Sequence, residues 1–163
     1  MDEATRAGFI GTEIGRTTVV VERSAVSFFA QAVLDDDPIY HNADVASERG
    51  FDGVPVPPTF PFVMQNWGAF GELQPSEGNG SGLATVLGAL MANGGLSLHG
   101  EQAVTYPQPV VTGQTLTGVT VLRDIYVKES KGTTMTFVVS ETTWSDRQEM
   151  PVATATFNII HRI

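Results

Sequence analysis

The sequence predicts an α+β fold in which an antiparallel sheet wraps around a central, mostly apolar helix. Helical spacing of apolar residues occurs in the first half of the 163-residue chain, whereas β-rich runs separated by short turns fill the part after about residue 100. Short connections favour antiparallel neighbours, because parallel strands need long crossovers. Helices that come early and strands that come late are typical of the α+β class. The length suits one domain over residues 1–163.

The first predicted elements are a strand and a helix. Residues 17–22 are rich in β-branched side chains and indicate a short strand. Ser24 is the expected N-cap of the helix that follows, and Pro38 is expected to end it, since proline disfavours helix in the residue before it. Four apolar residues on this helix recur at i, i+3, i+4 and i+7: Val26, Phe29, Ala30 and Val33.

The central helix is predicted to start near Pro58, after the turn-rich residues 50–59. A proline at the first helical position is tolerated, because its missing N–H would be unpaired there. The helix carries a largely apolar set: Phe60, Val63, Met64, Trp67 and Phe70. Residues 71–82 are expected to form a loop. Residues 83–95 fit either a short helix or a turn that lines a cavity.

Four β-rich runs complete the chain: residues 102–110, 115–128, 133–143 and 152–161. We expect them to form an antiparallel meander, because three short connections join them in order. The strand at residues 17–22 can then pair at an edge of the same sheet.

Composition excludes several kinds of function. The chain has no cysteine, which rules out disulfides, thiol catalysis and cysteine-bound metal. Its three histidines, His41, His99 and His161, lack metal-binding spacing, so we expect no metal. The net charge of −9 leaves no basic surface to replace the counterions of a nucleic acid.

Hydropathy predicts neither a membrane span nor a leader. The most apolar stretch, residues 83–98, is interrupted by glycines and Asn93. The first residues are acidic and lack an apolar signal region, so a cytoplasmic location is expected.

The strings that carry the chemistry are Asp-Asp-Asp-Pro-Ile-Tyr-His at residues 35–41, followed by Asn-Ala-Asp-Val-Ala at 42–46, and Val-Pro-Pro-Thr-Phe at 56–60. Two further strings lie downstream, Leu-His-Gly-Glu-Gln at 98–102 and Pro-Val-Val-Thr-Gly-Gln-Thr-Leu at 109–116. In order and spacing they resemble the MaoC-like dehydratase and (R)-specific enoyl-CoA hydratase superfamily, in particular its N-terminal-type dehydratase domain. The resemblance implies a hot-dog fold and a double-hot-dog assembly. It also implies reversible hydration of trans-2-enoyl thioesters of CoA or acyl carrier protein, without a metal or redox cofactor.

That family activates water with the motif Asp-x-Asn-Pro-x-His, and this chain departs from it. Aligned on Pro38, the motif aspartate is Asp35 and Tyr40 stands at the histidine position. Aligned on the separation of aspartate and histidine, the pair is Asp36 and His41. A carboxylate and an imidazole that share a water can supply both a base for the water and an acid for the α-carbon.

The family also implies a backbone N–H at the start of the central helix that receives the thioester oxygen. Such donors stabilise the enolate oxygen that develops in the reaction. Thr59 and Phe60 are the candidates for this N–H, and Tyr40 is a candidate substrate-binding residue. Pro58 has no N–H to donate.

Three functions stay open at the level of sequence. The first is a complete hydratase that uses His41 with Asp36 or Asp35. The second is a non-catalytic acyl-binding subunit of a heterodimer, and the third is a hot-dog thioesterase. The thioesterase usually needs a carboxylate on the central helix, and Glu72 lies just past residues 58–70, which contain none.

Purely structural roles compete for the same residues. The aspartates can solvate a turn, with Asp37 as the cap of the next element, and His41 can be structural. His99 fits a structural or subunit-interface role better than catalysis, and His161 fits no function.

The thioester carriers that we expect to bind are negatively charged, as this chain is. CoA and acyl carrier protein are both anionic, so their attraction must come from a partner chain or from local bases: Arg23, Arg49, Arg123 or Lys128. Because a lone sheet exposes its edges, we expect a homodimer or a heterodimer with another MaoC-like chain.

Overall fold

The helices precede most of the sheet along the chain. The computed structural model describes residues 3–67, 82–92 and 94–163. The helical elements are α1 (Glu3–Phe9), α2 (Arg23–Ala32), a 3₁₀ turn (Pro38–Tyr40), α3 (Ala43–Glu48), α4 (Pro61–Trp67) and α5 (Gly82–Met91). The strands are β1 (Glu13–Val20), β2 (Leu96–Thr105), β3 (Thr115–Ser130), β4 (Thr133–Ser145) and β5 (Pro151–Arg162).

The five strands form one antiparallel sheet in the order β1-β3-β4-β5-β2. This confirms the α+β hot-dog prediction, the meander of β3, β4 and β5, and the placement of the first strand at an edge. The predicted position of the strand at residues 102–110 is wrong. That strand is β2, which starts at Leu96, ends at Thr105 and pairs with β5 at the far edge.

The segment between β2 and β3 explains the error. Residues 106–114 contain Pro107 and Pro109, which have no N–H to donate to a sheet ladder. The segment pairs instead with the chain before α4. The N–H of Val56 donates to the Val110 oxygen at 3.0 Å, and the N–H of Thr112 donates to the Val54 oxygen at 2.9 Å.

Both predicted ends of α2 are wrong. Glu22 is the N-cap residue and makes no side-chain cap bond, so Ser24 lies inside the helix. The helix ends at Ala32, well before Pro38. Leu34 turns into the left-handed region with φ of 60°, and its N–H donates to the Gln31 oxygen while that of Asp35 donates to the Ala30 oxygen. These two bonds form a Schellman motif, which closes a helix without a proline.

The described part of the central helix is α4. Pro58, Thr59 and Phe60 form a turn before it and are not its first helical residues. Phe70 and residues 71–81 lie outside the described residues. The open choice at residues 83–95 resolves in favour of a helix, because α5 runs from Gly82 to Met91 with Val86 and Leu90 buried.

Two apolar clusters hold the helices against the sheet. The larger one packs Phe60 and Met64 against Trp144 of β4, and all three are almost completely buried. The smaller one packs Val86 and Leu90 of α5 against β3, β4 and β5. In the described part of the chain, every helix is too short or too polar to cross a bilayer. The candidate site lies at the edge of the larger cluster.

Candidate functional site

An apolar slot opens beside the turn that precedes α4. Its volume is about 340 Å³, within the range of small-molecule sites. Ile39 and Tyr40 of the 3₁₀ turn, Phe51, and Tyr106 contribute to its wall. Four prolines complete most of it: Pro55, Pro58, Pro107 and Pro109. Because proline fixes φ, the backbone of this wall has fewer free torsions than an ordinary segment.

Tyr106 joins the two sides of the slot. Its hydroxyl donates to the Pro58 oxygen at 2.7 Å. Burial raises the pKa of the Tyr106 hydroxyl, and the neighbouring Tyr40 raises it further. The hydroxyl therefore stays protonated and keeps its donor role.

Tyr40 is the motif residue that faces the slot. Burial of its ring, followed by the charges of Asp35 and Asp37, raises the pKa of its hydroxyl. No described residue forms a hydrogen bond with the Tyr40 hydroxyl, so its proton is available to a ligand.

Asp37 has a structural role. One of its carboxylate oxygens accepts the N–H of Ile39 at 3.0 Å, which caps the 3₁₀ turn, and the other accepts from Arg49 at 2.9 Å. These two contacts hold the pKa of Asp37 below its usual value, the Ile39 bond more strongly. The prediction that Asp37 caps the next element is confirmed.

Asp35, Asp36 and His41 line a different depression, of about 470 Å³, together with Gln31 and Leu34. None of these three candidate catalytic residues lines the apolar slot. The Pro58 turn and these three residues therefore line two separate cavities.

His41 is held by α2. Its Nδ1 shares a hydrogen bond with the Ser27 hydroxyl at 2.8 Å, and its backbone oxygen accepts from Arg23 at 3.2 Å. The Asp35 carboxylate accepts the N–H of Asp37 at 3.3 Å. Asp36 is exposed and has no hydrogen bond to any residue that the structure describes.

The turn before α4 leaves one of the two candidate N–H groups available. The N–H of Phe60 donates to the Pro57 oxygen at 2.9 Å, so the expectation that it is free is wrong. The N–H of Thr59 has no acceptor among the described residues, and Thr59 is exposed. Thr59 is therefore the remaining candidate for the thioester oxygen.

The other histidines have neighbours of their own. His99 packs against Phe62 and Phe157, with ring centroids 5.8 and 4.5 Å away, and these two rings also contact each other at 5.6 Å. His161 is buried, and its Nε2 shares a hydrogen bond with the Gly94 oxygen at 2.9 Å. Among residues 3–67, 82–92 and 94–163, no three histidine or acidic side chains are placed to hold a metal.

The four basic residues expected to attract an anionic substrate already have partners. Arg49 pairs with Asp37 and Arg123 pairs with Glu141. Arg23 donates to His41, and the Lys128 ammonium lies 5.3 Å from the ring centroid of Tyr126.

Two site residues escaped the sequence analysis, Tyr106 and Ser27. Tyr106 precedes Pro107 in a segment that was predicted to be a strand, where its partner Pro58 could not be foreseen. Ser27 lies one helical turn beyond Arg23, and both reach His41. The described part of α4 carries no carboxylate, the group expected of a hot-dog thioesterase.

Comparison with known proteins defines the family. Residues 8–155 match the model of the FAS1-like dehydratase domain region. A UPF0336 protein of Thermobifida fusca is 31% identical over 121 residues, which cover 74% of this chain and 70% of that protein. A UPF0336 protein of Streptomyces avermitilis is 30% identical over 105 residues, or 64% of this chain and 62% of the relative.

Solved structures share the fold. The ChsH1–ChsH2 complex of Mycobacterium tuberculosis is similar with a TM-score of 0.71 and 19% identity, over 89% of this chain and 81% of that chain. The C-terminally truncated HadBC complex, a 3R-hydroxyacyl-ACP dehydratase of the same organism, has a TM-score of 0.67 and 17% identity, over 93% and 96%. The chain thus belongs to the FAS1-like dehydratase domain region family and has the MaoC-like hot-dog fold.

Proposed function

We propose that this chain is the acyl-binding subunit of a two-chain hot-dog dehydratase, in which a partner chain supplies the aspartate and histidine that activate water. The substrates are trans-2-enoyl and 3-hydroxyacyl thioesters of CoA or acyl carrier protein. One observation carries the proposal: Tyr40, at the histidine position of the motif, faces the apolar slot, whereas Asp35, Asp36 and His41 line another depression.

Tyrosine cannot replace histidine as a base for water. A phenol ordinarily has a pKa of about 10, and burial together with Asp35 and Asp37 raises that of Tyr40 further. At neutral pH the hydroxyl is protonated, so it can donate a hydrogen bond but cannot accept a proton from water. A base with a pKa near the working pH must come from elsewhere.

The groups around the slot suit binding. Its apolar wall accommodates an acyl chain, and the Tyr40 hydroxyl in that wall is a donor for the thioester oxygen. Thr59 follows Pro58 of the wall, and its N–H is the second candidate donor. Loss of one donor of this kind typically costs about 3 kcal/mol of transition-state stabilisation. This chain can therefore contribute to the rate without a general base of its own.

Reconstitution tests the proposal. We expect the purified chain alone to leave crotonyl-CoA and trans-2-dodecenoyl-CoA unhydrated, and the mixture with the MaoC-like chain of a neighbouring gene to hydrate them. In the mixture, His41→Ala should keep activity within about twofold, whereas alanine at the partner's motif histidine should lower it at least 100-fold, the usual scale for acid–base groups being roughly 10²–10⁴. Hydration by this chain alone would refute the subunit role.

The second candidate is a complete hydratase, favoured by the common depression that Asp35, Asp36 and His41 line. In that case the chain alone is active, and His41→Ala lowers its activity at least about 100-fold. His99→Ala is the matched control, because His99 lines neither of the two cavities.

A further inference from the structure

The burial of the wall residues distinguishes the two ends of the apolar slot. Four wall residues are exposed and form its mouth: Pro58, Pro107, Gln108 and Pro109. Four others are buried and form its floor: Ile39, Pro55, Val56 and Val110. CoA and acyl carrier protein are large and polar, so they stay outside the mouth. An acyl chain that enters the slot therefore points toward the floor.

Two floor residues, Val56 and Val110, separate the slot from the protein core. Both line the slot, and both belong to the larger apolar cluster together with Phe60 and Met64. The N–H of Val56 donates to the Val110 oxygen at 3.0 Å, so the two residues are held side by side. Because protein cores are close-packed, an acyl chain that reaches these valines meets packed side chains.

The volume of the slot sets the length of chain that fits above this floor. A methylene group is about as large as a water molecule, which takes up roughly 30 Å³ in the liquid, so a slot of about 340 Å³ holds about ten non-hydrogen atoms. An acyl group of about eight carbons, with the oxygen and sulfur of its thioester, has this size.

We propose that Val56 and Val110 are specificity-determining residues, which end the acyl site and set the favoured acyl length at about eight carbons. This inference rests on the proposed function. It adds the class of acyl chain, short to medium, and the side chains that select it.

The dependence of affinity on chain length should report the position of the floor. Burial of one methylene lowers the Kd about fourfold, whereas a methylene that finds no room in the slot leaves the Kd unchanged. We call the acyl length at which the Kd stops falling the break length. For wild type, we expect a break length of about eight carbons.

Calorimetry on the purified chain measures the break length, because every wall residue belongs to this chain. Saturated acyl-CoA thioesters are suitable ligands, since they have no double bond to hydrate. From butyryl-CoA to octanoyl-CoA, the Kd should fall about fourfold per methylene. From octanoyl-CoA to dodecanoyl-CoA, the Kd should stay level.

Valine-to-alanine variants test the floor. Val110→Ala removes two methyl groups from it, so the break length should move from octanoyl-CoA to decanoyl-CoA. Val56→Ala should have the same effect, which keeps the test open if Val110→Ala fails to fold. Val54→Ala is the matched control, because Val54 is buried in the same cluster and is absent from the slot wall. It should lower the Tm as the other variants do and leave the break length at octanoyl-CoA.

Methyl NMR tests whether the chain reaches the floor of the wild-type slot. With ¹³C-methyl-labelled valine, octanoyl-CoA should shift the Val56 and Val110 resonances more than butyryl-CoA does. The Val139 methyl resonances should not move with either ligand, because Val139 lies on β4 and is not part of the slot wall.

The other outcomes separate a failure of the floor from a failure of the proposed function. A wild-type Kd that keeps falling through dodecanoyl-CoA leaves acyl binding intact and overturns the floor. Folded Val110→Ala and Val56→Ala variants with the wild-type break length overturn it as well, and so does a Val54→Ala variant with an equal shift. If the wild-type Kd does not depend on acyl length at all, the slot takes no acyl chain and the proposed function fails.

Discussion

Asp37 shows how one side chain can hold the turn that carries Tyr40. Its two oxygens bind the Ile39 N–H and the Arg49 guanidinium, and these contacts keep Tyr40 at the slot. A family motif with asparagine at this position would keep the cap and lose the ion pair. The carboxylate is therefore the preferred residue where an arginine lies close by.

We predict that Asp37 stabilises the protein only above acidic pH. Because the folded pKa is lower than the unfolded value of about 3.9, the contribution is complete above the unfolded pKa and is lost as pH falls through the folded one. Asp37→Ala should lower the Tm at pH 7, and the difference should shrink as pH falls below the unfolded value of about 3.9. The control is Asp36→Ala, the exposed neighbour. A Tm difference that grows as the pH is lowered would contradict this account.

Residue identity alone predicted part of the site. The acidic turn, Pro38 and the Thr59 turn were all visible in the sequence. The choice between Tyr40 and His41 was not, because it depends on the direction in which a three-residue 3₁₀ turn projects successive side chains. Tyr106 was also invisible, since its partner Pro58 lies 48 residues away and no local pattern links them.

At the scale of elements, the end of α2 stores strain at Leu34. A non-glycine residue in the left-handed region costs roughly 1–2 kcal/mol, and Leu34 is 90% exposed, so packing does not compensate. The extra freedom of glycine in the unfolded chain offsets part of this.

We therefore predict that Leu34→Gly raises the Tm by about 1–2 °C in a thermal melt, the shift that a net gain of about 0.5 kcal/mol gives a chain of this size. Val33→Gly is the matched control, since Val33 has φ of −93° and should gain nothing. An equal rise in both variants would show that the left-handed conformation is not the cause.

The pairing of β3 with β4 depends on a glycine opposite a tryptophan. Gly118 is the cross-strand partner of Trp144, and a Cβ on Gly118 would lie 2.7 Å from the indole ring. Trp144 is completely buried, so it has nowhere to move.

We predict that Gly118→Ala destabilises the protein by about 1–3 kcal/mol in urea unfolding, the usual cost of overpacking. Gly88→Ala should do the opposite, by about 0.5–1 kcal/mol, because Gly88 lies within α5 with no atom within 4 Å of the added Cβ. A neutral Gly118→Ala would mean that the sheet adjusts around the indole.

The elements themselves differed in how well the sequence predicted them. β3, β4 and β5 were predicted to within two residues, because β-branched alternation and turn residues mark both ends. The bounds of β2 were predicted wrongly. Its pairing with β5 depends on the long connection that contains Pro107 and Pro109, and no local sequence pattern reveals this pairing. α4 was predicted to begin too early, since Pro58 and Pro61 both fit a first helical position.

For the whole molecule, charge and sheet edges both point to a second chain. The net charge of −9 repels anionic CoA and acyl carrier protein, and two of the four basic residues considered for their attraction, Arg49 and Arg123, are neutralised by carboxylates of the chain. A partner that contributes positive charge beside the slot would resolve this conflict.

Strand β2 is the edge at which we expect that partner to pair. It is ten residues long, lies at the end of the strand order and is mostly exposed. Leu98 on this strand is 45% exposed and adjoins Ile160 of β5, so a bare apolar edge faces solvent in the single chain. Such an edge invites another strand, and a lysine on it opposes pairing.

We predict that Leu98→Lys weakens the proposed complex with a MaoC-like partner at least tenfold, measured as the Kd by sedimentation of the mixed chains. The ammonium would have to leave water and enter a strand–strand interface without a carboxylate to meet it. Met150→Lys is the matched control, because Met150 is 53% exposed in the turn between β4 and β5. Assembly of Leu98→Lys with the wild-type Kd would contradict pairing at the β2 edge. If Met150→Lys prevents assembly in the same experiment, the partner binds at the β4–β5 turn instead.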